Sequence, residues 1–385
     1  MDPAASPAPE TATPPSNEPV HDDNKHEAVQ TDDAQDTLAE NKATKKKKKK
    51  KKLAFGARVF ARSSLLKPEA ADDLVAQSTL NSARVKADYR AHGLRLEVEA
   101  ELAGKPRIKT AFVQQRLYGD ETKIDVRAGH FKMPFSAIQL DSIWTLPMAD
   151  RGLIDNVLVQ RLQVSGRAVG ATVAIELPGG LHPELHAGVF QGSDDAGNPL
   201  AASASHGFGQ DAVLRLSIQP FKGLVVGAAA ETRAGQLIEA PPIVERAYAV
   251  ELDATLDVAA GPGRVRAWLE AMIGTSWLVA DSARTSARFV EGRGIAAYRI
   301  GGDKHRARYV ELYGLAGALD PDAKTGGDRV VELTAGITYG ASEAWRLQLE
   351  AERWKIGDAA PIGIAAFAAA PADSTTVLVQ LSARI

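Results

Sequence analysis

Cysteine is absent from the 385 residues, so the chain forms no disulfide and offers no thiolate for a metal or a nucleophile. No stretch approaches the roughly 18 consecutive apolar residues that a membrane-spanning helix needs. Neither charge is in clear excess, since 46 Lys and Arg face 48 Asp and Glu, and this balance argues against a basic nucleic-acid-binding protein. Aromatic residues are also scarce, at 6%. The length suffices for one large domain or two ordinary ones.

Residues 1–52 differ in composition from the rest of the chain. They carry ten acidic residues and ten lysines, and eight of the lysines form an unbroken run from Lys45 to Lys52. We predict that this acidic and poly-lysine segment is disordered, because it has too little apolar surface to offset the entropy of ordering. The lysine run is a solvated, self-repelling tether, or it is a nuclear signal, a nucleic-acid-binding tail, or an anchor on anionic lipid or cell-wall polymer. The segment also lacks the apolar core of a signal peptide, so the signal was removed, the start is misassigned, or the protein is not exported.

Alternation of apolar and polar residues dominates residues 53–385. In residues 94–102, LRLEVEAEL, every second residue is apolar and those between are charged; similar alternation recurs in 84–90, 250–258 and 329–339. Successive side chains of a strand point to opposite faces, so each strand has one apolar and one polar face. We count about sixteen strands, mostly about 9–13 residues long, which is sufficient to cross a bilayer at a tilt.

The class of this predicted barrel depends on which face of each strand is buried. A soluble barrel turns the charged face outward, whereas a transmembrane barrel turns the apolar face to lipid and the charged face to its lumen. The density of charge, the strand length and the lack of cysteine favour the membrane. The few aromatic residues predict only a thin interfacial girdle.

No arrangement of residues indicates catalysis. His182 and His186 have a spacing that suits a metal on a helix, but Pro183 between them favours a strand or turn. The sequence contains no nucleophile elbow, phosphate-binding glycine loop or HExxH motif. We therefore predict no enzyme activity, no cofactor and no metal.

Residues 121–158 carry a more specific pattern, ETKIDVRAGHFKMPFSAIQLDSIWTLPMADRGLIDNVL. It resembles the phosphate-selective porin O and P family of Gram-negative outer membranes, in which a strand ending in a Gly, Lys, Pro and Phe pattern precedes a loop and an Arg element. The matching residues are Val126, Arg127, Gly129, Phe131, Lys132, Pro134, Phe135 and Arg151.

The resemblance implies a sixteen-stranded trimeric barrel with a ladder of basic residues in the lumen and a constriction loop. Proline cannot donate to a strand ladder, so Pro134 ends its strand and residues 134–160 are the predicted constriction loop. The expected anchors of this loop are Ile143, Trp144, Leu146 and Met148. Barrels of the family usually end in an aromatic residue that serves as the assembly signal, where this chain has Ile385; the barrel-assembly machinery is an expected partner.

Basic residues on the polar faces are candidates for an anion path, because the planar guanidinium fork suits phosphate. They are Arg84 and Lys86, Arg161 and Arg167, Arg264 and Arg266, and Arg306 and Arg308, with Lys132 and Arg151 ranked first by the motif. Two alternatives remain open. The basic residues are wall charges balanced by Glu97, Glu99, Glu251 and Asp253 in an unselective channel, or Lys132 and Arg151 hold the loop in place.

The sequence thus predicts an all-β antiparallel transmembrane barrel over residues 53–385 with residues 1–52 in the periplasm. The expected function is an outer-membrane porin through which small hydrophilic solutes or anions such as phosphate diffuse passively, and the resemblance implies a homotrimer. The lipid bilayer and these solutes are the expected partners, and nucleic acid is not. The alternatives are a plugged structural or adhesive barrel, and a soluble all-β binding or carbohydrate-active protein.

Overall fold

The computed structural model describes part of the chain, namely residues 52–68, 74–119, 122–160, 162, 164–191, 210–236, 244–276, 287–302, 307–342, 344–360 and 373–385. Of the predicted disordered segment 1–52, only Lys52 falls among them, and it is the first residue of the first strand. The candidate anion-path residues Arg161 and Arg306 lie outside the described residues.

The described residues form strands and two short helices. In chain order they are β1 (Lys52–Pro68), β2 (Val75–Ala91), β3 (Leu94–Glu101), β4 (Arg107–Tyr118), β5 (Lys123–Lys132), α1 (Ala137–Leu140), α2 (Gly152–Gln160), β6 (Arg167–Glu176), β7 (Glu184–Gln191), β8 (Gln210–Phe221), β9 (Leu224–Gln236), β10 (Val244–Ala260), β11 (Gly263–Thr275), β12 (Arg288–Gly301), β13 (Arg308–Asp320), β14 (Val330–Ala341), β15 (Trp345–Ile356) and β16 (Asp373–Arg384). Neither helix is long and apolar enough to cross a membrane, a finding that covers the described residues.

Each strand pairs with its neighbour in the chain, and β1 pairs with β16, so the sheet closes into a barrel. The closing pair is antiparallel, from Arg58 opposite Arg384 to Pro68 opposite Ser374. The main chains of Ala57 and Ile385 add two reciprocal hydrogen bonds of 3.1 and 3.0 Å. The predicted sixteen-stranded antiparallel barrel is therefore confirmed.

Very short connections mark one rim of the barrel. Residues 92–93, 222–223 and 261–262 join β2 to β3, β8 to β9 and β10 to β11. Glycine with positive φ occupies each of these turns, a conformation that side chains with a Cβ rarely adopt. Lys52 lies opposite Arg90, just before the first of these turns, so β1 begins at this rim.

The burial of the strands is the reverse of that in a soluble barrel. On β10, Glu251 is 0% exposed and its neighbour Leu252 is 64% exposed. The same holds around the barrel, because Leu269, Leu312 and Leu381 are more than half exposed. Since neighbouring side chains of a strand point to opposite faces, the apolar face is outside and the charged face is inside.

Candidate functional site

The inner segment, which comprises the described residues of 133–166 (133–160, 162 and 164–166), lies between β5 and β6 and crosses the interior of the barrel. The carboxylate of Glu251 on β10 accepts a hydrogen bond from the main-chain N–H of Ser136 at 2.6 Å. The side-chain amide of Gln380 on β16 donates to the main-chain carbonyl of Ala149 at 3.3 Å. Because β10 and β16 lie on different sides of the closed barrel, a segment that contacts both passes through the lumen.

Carboxylates of the wall accept hydrogen bonds from main-chain N–H groups at the start of both helices. Ser136 and Ala137, at the start of α1, donate to Glu251 at 2.6 and 2.9 Å. Leu153 and Ile154, in the first turn of α2, donate to Glu332 on β14 at 2.9 and 3.1 Å. The first N–H groups of a helix have no partner within it, and a negative charge there also complements the helix dipole. These wall acids therefore position the inner segment.

Arg346 on β15 holds the middle of the inner segment. Its guanidinium donates to the carbonyls of Leu146 and Ile143 at 2.7 Å each and to that of Trp144 at 3.0 Å. The side chain is 1% exposed, and the guanidinium also lies 5.3 Å from the centre of the Trp144 ring. Five N–H donors in a rigid plane let one arginine bind several carbonyls at once.

Apolar side chains of the inner segment pack against apolar groups of the wall that point inward. Ile143, Leu146 and Met148 are buried in one cluster, against which Trp144 packs. The wall contributes Phe60, Trp268, Ile295, Tyr313 and Leu315 to this cluster. A second cluster joins α2 to Phe131, Phe190 and Phe289 of the wall. The segment thus has a hydrophobic core inside a barrel whose interior is otherwise charged.

The comparison with solved structures agrees with this architecture. No family model and no curated protein sequence matches the chain. The anion-selective porin from Comamonas acidovorans aligns with a TM-score of 0.56 and 13% identity over 87% of this chain and 100% of that one. The outer membrane channel DcaP of Acinetobacter baumannii aligns with a TM-score of 0.57 and 11% identity over 89% of this chain and 100% of that one. Pseudomonas putida OprB at high pH aligns with a TM-score of 0.57 and 8% identity over 86% of this chain and 94% of that one.

The chain has the porin fold. At these identities the likeness shows the architecture alone, so the resemblance to the phosphate-selective family remains a prediction. The candidate site residues are therefore identified by their contacts inside this barrel and not by alignment to the other porins.

The two first-ranked basic residues contact the inner segment. Lys132, the last residue of β5, donates to the main-chain carbonyl of Gln139 and, at 3.3 Å, to that of Asp141. Arg151 donates to the carbonyls of Ile138 at 2.9 Å and Asp141 at 2.5 Å. Both side chains are buried, so they hold the fold of the segment.

Asp141 lies where these cations converge. Burial raises the pKa of its carboxyl above the ordinary value. The hydrogen bond from the Trp268 indole N–H and the positive charge of Arg266 both lower this pKa, but the effect of burial is larger. Burial also lowers the pKa of Arg151 to about 10, so this guanidinium stays charged at neutral pH. The inner segment is therefore fixed by a charged centre as well as by apolar packing.

The other predicted basic residues lie in two places on the wall. Arg84 is buried against Glu101 at 2.9 Å, and Lys86 pairs with Glu97 at 3.0 Å on the same pair of strands. Arg167, at the start of β6, donates to the hydroxyl of Thr110 at 2.5 Å. The structure therefore gathers Arg84, Lys86 and Arg167 on the wall formed by β2 to β6.

Arg264 and Arg266 lie on β11, away from that wall. Arg264 is partly exposed and pairs with Asp257 at 2.7 Å. Arg266 bonds Glu311 at 2.8 Å and reaches the carbonyl of Thr145 in the inner segment at 2.5 Å. Arg308 is the first residue of β13. These residues are thus not part of one ladder with Arg84.

Sequence reasoning missed the residues that bind the inner segment most extensively. Arg346, Glu332 and Arg293 were not singled out, and Glu251 was considered only as a wall charge. Arg293 bonds Asp155 of α2 at 2.9 Å and Glu270 at 2.6 Å. The available signal was their place on the polar face of alternating strands, which predicts an inward side chain but no partner. His186, considered for a metal, contacts Glu184 at 2.8 Å.

Proposed function

We propose that the protein is an outer-membrane porin through which small hydrophilic solutes diffuse passively, with no catalytic cycle and no cofactor. The observation that carries the proposal is the reversed burial, apolar outside and charged inside, on a closed barrel with strands of membrane-spanning length. A lipid bilayer suits the outer face, and water or a hydrated solute suits the inner face. The protein would reach its membrane through the barrel-assembly machinery.

Anions such as phosphate are the favoured solutes. Lys86 and Arg167 are partly exposed on the wall from β2 to β6, whereas Arg84 beside them is buried by its pair with Glu101. Arginine binds phosphate oxygens through two N–H groups. Local cations can select anions although the whole chain is nearly neutral. The ion pairs with Glu97 and Glu101 offset part of this positive charge, so the degree of anion selectivity depends on how much positive charge remains.

The experiment is single-channel recording of the refolded protein in a planar lipid bilayer under a KCl gradient, followed by phosphate titration. Stepwise conductance with an anion-favouring reversal potential and block by phosphate supports the full proposal. Conductance without anion preference retains the porin and removes phosphate selectivity. Absence of channels from folded and inserted protein contradicts the porin.

A plugged structural or adhesive barrel is the second candidate, and the burial beneath the inner segment favours it. Glu332 and Thr338 are 0% exposed, and Gln380 is 1% exposed, although all three point inward. Swelling of liposomes in small sugars separates the two candidates, because a plugged barrel gives no swelling. Partition of the protein into the aqueous fraction without detergent would instead favour the soluble binding protein.

The porin assignment has two further parts. A homotrimer is proposed from the family resemblance, and its test is the mass of the detergent complex. Residues 1–52 are proposed to lie in the periplasm, which the start of β1 at the rim with the short turns supports. If deletion of residues 45–51 leaves cell-wall association unchanged, the lysine run has no anchoring role there.

A further inference from the structure

A basic patch lies on the outer face of the barrel, at the rim opposite the short turns. It consists of Lys67 near the end of β1 and of Arg353 and Lys355 near the end of β15. All three are exposed, and they share the outward face of their strands with exposed apolar residues such as Leu65 and Leu349. On the lipid face of a transmembrane barrel a charge is costly in the hydrocarbon and tolerated near the interface. The patch therefore marks the level at which the apolar band ends on this side.

The strand register brings the basic side chains together. Lys67 lies opposite Thr375 on β16, and Thr375 lies opposite Arg353 on β15. Residues directly opposite on neighbouring strands have Cβ atoms about 5 Å apart, so those of Lys67 and Arg353 are about 10 Å apart. Lys355 is two residues further along β15, at about 7 Å from Arg353. The long side chains of these residues can thus reach one common ligand.

One acidic residue adjoins the patch. Asp373 lies opposite Lys355, and its carboxylate accepts a hydrogen bond from the main-chain N–H of Ile356 at 3.1 Å. Three basic side chains thus stand beside one carboxylate. Lysine and arginine rest their aliphatic stems on an apolar surface and keep their charged ends in water, which is where lipid headgroups begin. A phosphate group complements the patch, because guanidinium and ammonium groups both bind phosphate oxygens.

A groove of about 390 Å³ lies next to the patch, within the apolar band of β16, β1 and β2. Its outward lining consists of small residues on β1 and β2 and longer ones on β16, namely Ala61, Ser63, Ser78, Val379 and Leu381. The hydroxyls of Ser63 and Ser78 bond each other at 2.9 Å, so neither needs water there. Ser63 lies four residues before Lys67, about 13 Å along the strand. The groove is therefore on the hydrocarbon side of the basic patch.

We propose that the patch and the groove together bind one membrane lipid whose headgroup carries phosphate. Lys67, Arg353 and Lys355 bind the phosphate at the interface, and the groove beside Ala61 and Ser63 receives part of an acyl chain. A lipid presents its phosphate and its chains in this same order across the membrane, so it matches the site in charge and in position. The inference rests on the proposed location of the outer face in a membrane, and it does not depend on what crosses the barrel.

The test is native mass spectrometry of the full-length protein, refolded in non-ionic detergent and titrated with dioleoylphosphatidate. Dioleoylglycerol, which has the same two chains and no phosphate, is the second titrant. The expected result is saturable binding of one phosphatidate, roughly tenfold or more tighter than that of dioleoylglycerol. Lys67→Gln and Lys355→Gln should each weaken phosphatidate binding about fivefold, and the double variant about thirtyfold, as expected for basic residues at anionic lipid.

Lys222→Gln is the matched control, because Lys222 is also an exposed lysine but lies in the short turn between β8 and β9, at the opposite rim. It should bind phosphatidate as the unaltered protein does. Ala61→Phe fills the groove and should weaken phosphatidate binding although the basic patch is intact.

The proposal would be overturned by equal binding of the two titrants, or by unweakened phosphatidate binding by the Lys67→Gln, Lys355→Gln double variant. A second copy of this chain is the other possible occupant of the groove. Because the chain has no cysteine, Ser63→Cys introduces a single thiol, and no covalent dimer is expected. A disulfide-linked dimer in lipid vesicles would instead show an interface between copies and exclude the lipid.

Channel recording of the unaltered protein separates this inference from the proposed function. Conductance without a preference for phosphatidate overturns the lipid site alone. Preferential binding of phosphatidate without channels contradicts the porin alone.

Discussion

Lys132 and Arg151 donate to one and the same oxygen, the main-chain carbonyl of Asp141, at 3.3 and 2.5 Å. Lys132 ends β5 and Arg151 immediately precedes α2, so the two residues tie both ends of the first half of the inner segment to a common point. Both side chains are no more than 4% exposed. Because the two side chains share an acceptor inside the barrel, their contributions to the free energy of unfolding are interdependent.

Replacement of Lys132 by Met should destabilise the barrel. The change keeps an unbranched side chain but removes the side-chain donor of the buried Gln139 carbonyl, which lowers the free energy of unfolding by about 1–3 kcal/mol; the Asp141 carbonyl keeps its bond from Arg151. Urea unfolding in detergent, followed by tryptophan fluorescence, measures the change. Lys86→Met is the control, since Lys86 is one-third exposed and its pair with Glu97 should contribute only about 0–1 kcal/mol.

The double variant Lys132→Met with Arg151→Gln should be less destabilised than the sum of the single variants. Residues that share a partner have interaction energies of about 0.5–3 kcal/mol. Full additivity in the same unfolding experiment would show that the two side chains act independently.

Replacement of Arg346 by Lys should loosen the middle of the inner segment although the charge is retained. An ammonium group lacks the planar fork that bonds Ile143, Trp144 and Leu146, so buried carbonyls lose donors at about 1–3 kcal/mol each. The expected signs are a lower unfolding midpoint and noisier single-channel current. Arg264→Lys, at a partly exposed pair, should change stability by less than about 0.5 kcal/mol. Equal effects of the two substitutions would contradict the anchoring role of Arg346.

The architecture could be predicted from sequence because its signal is local. A period of two in segments such as 94–102 and 250–258 gives strand, face and approximate strand number together. The pattern did not determine which face is outside, since a soluble and a membrane barrel share it. Burial at Glu251 and Leu252 decides that question.

The contacts of the inner segment could not be predicted in the same way. Arg346 and Ile143 are bonded across 203 positions of sequence, and Glu332 and Leu153 across 179. No periodicity encodes which inward side chain meets which main-chain group. The sequence predicts the anchors Ile143, Leu146 and Met148, because apolar residues in a long connection need a surface to pack against. It does not predict which wall residues form that surface.

Replacement of Gly129 by Ala should disrupt the end of β5. Gly129 has φ of 135°, and a Cβ there would lie 2.2 Å from the carbonyl oxygen of Ala111 on β4. Backbone strain of this kind costs about 1–3 kcal/mol before the steric clash is added. We expect a lower yield of folded barrel. The yield is measured by gel electrophoresis as the fraction of protein whose migration in the unheated sample differs from that in the heated sample.

Gly292→Ala is the control for that substitution. Gly292 lies within β12, has no positive φ, and a Cβ there would meet nothing within 4 Å. This variant should fold as well as the unaltered protein. Equal yields of the two variants would show that Gly129 is not required by its conformation.

Replacement of Leu252 by Arg tests whether the outer face contacts lipid. Leu252 is 64% exposed at the middle of β10, so in water its loss would change stability by less than about 0.5 kcal/mol. At the midplane of a bilayer an arginine on the lipid face costs about 2–4 kcal/mol, and near the interface about 0–1 kcal/mol. Leu53→Arg, at the rim where β1 begins, supplies the interfacial comparison. Reversible unfolding from lipid vesicles should therefore show a clear loss of stability for Leu252→Arg and a small one for Leu53→Arg, because the penalty follows depth in the hydrocarbon. Equal, small losses at both positions would mean that the apolar face does not lie in a membrane.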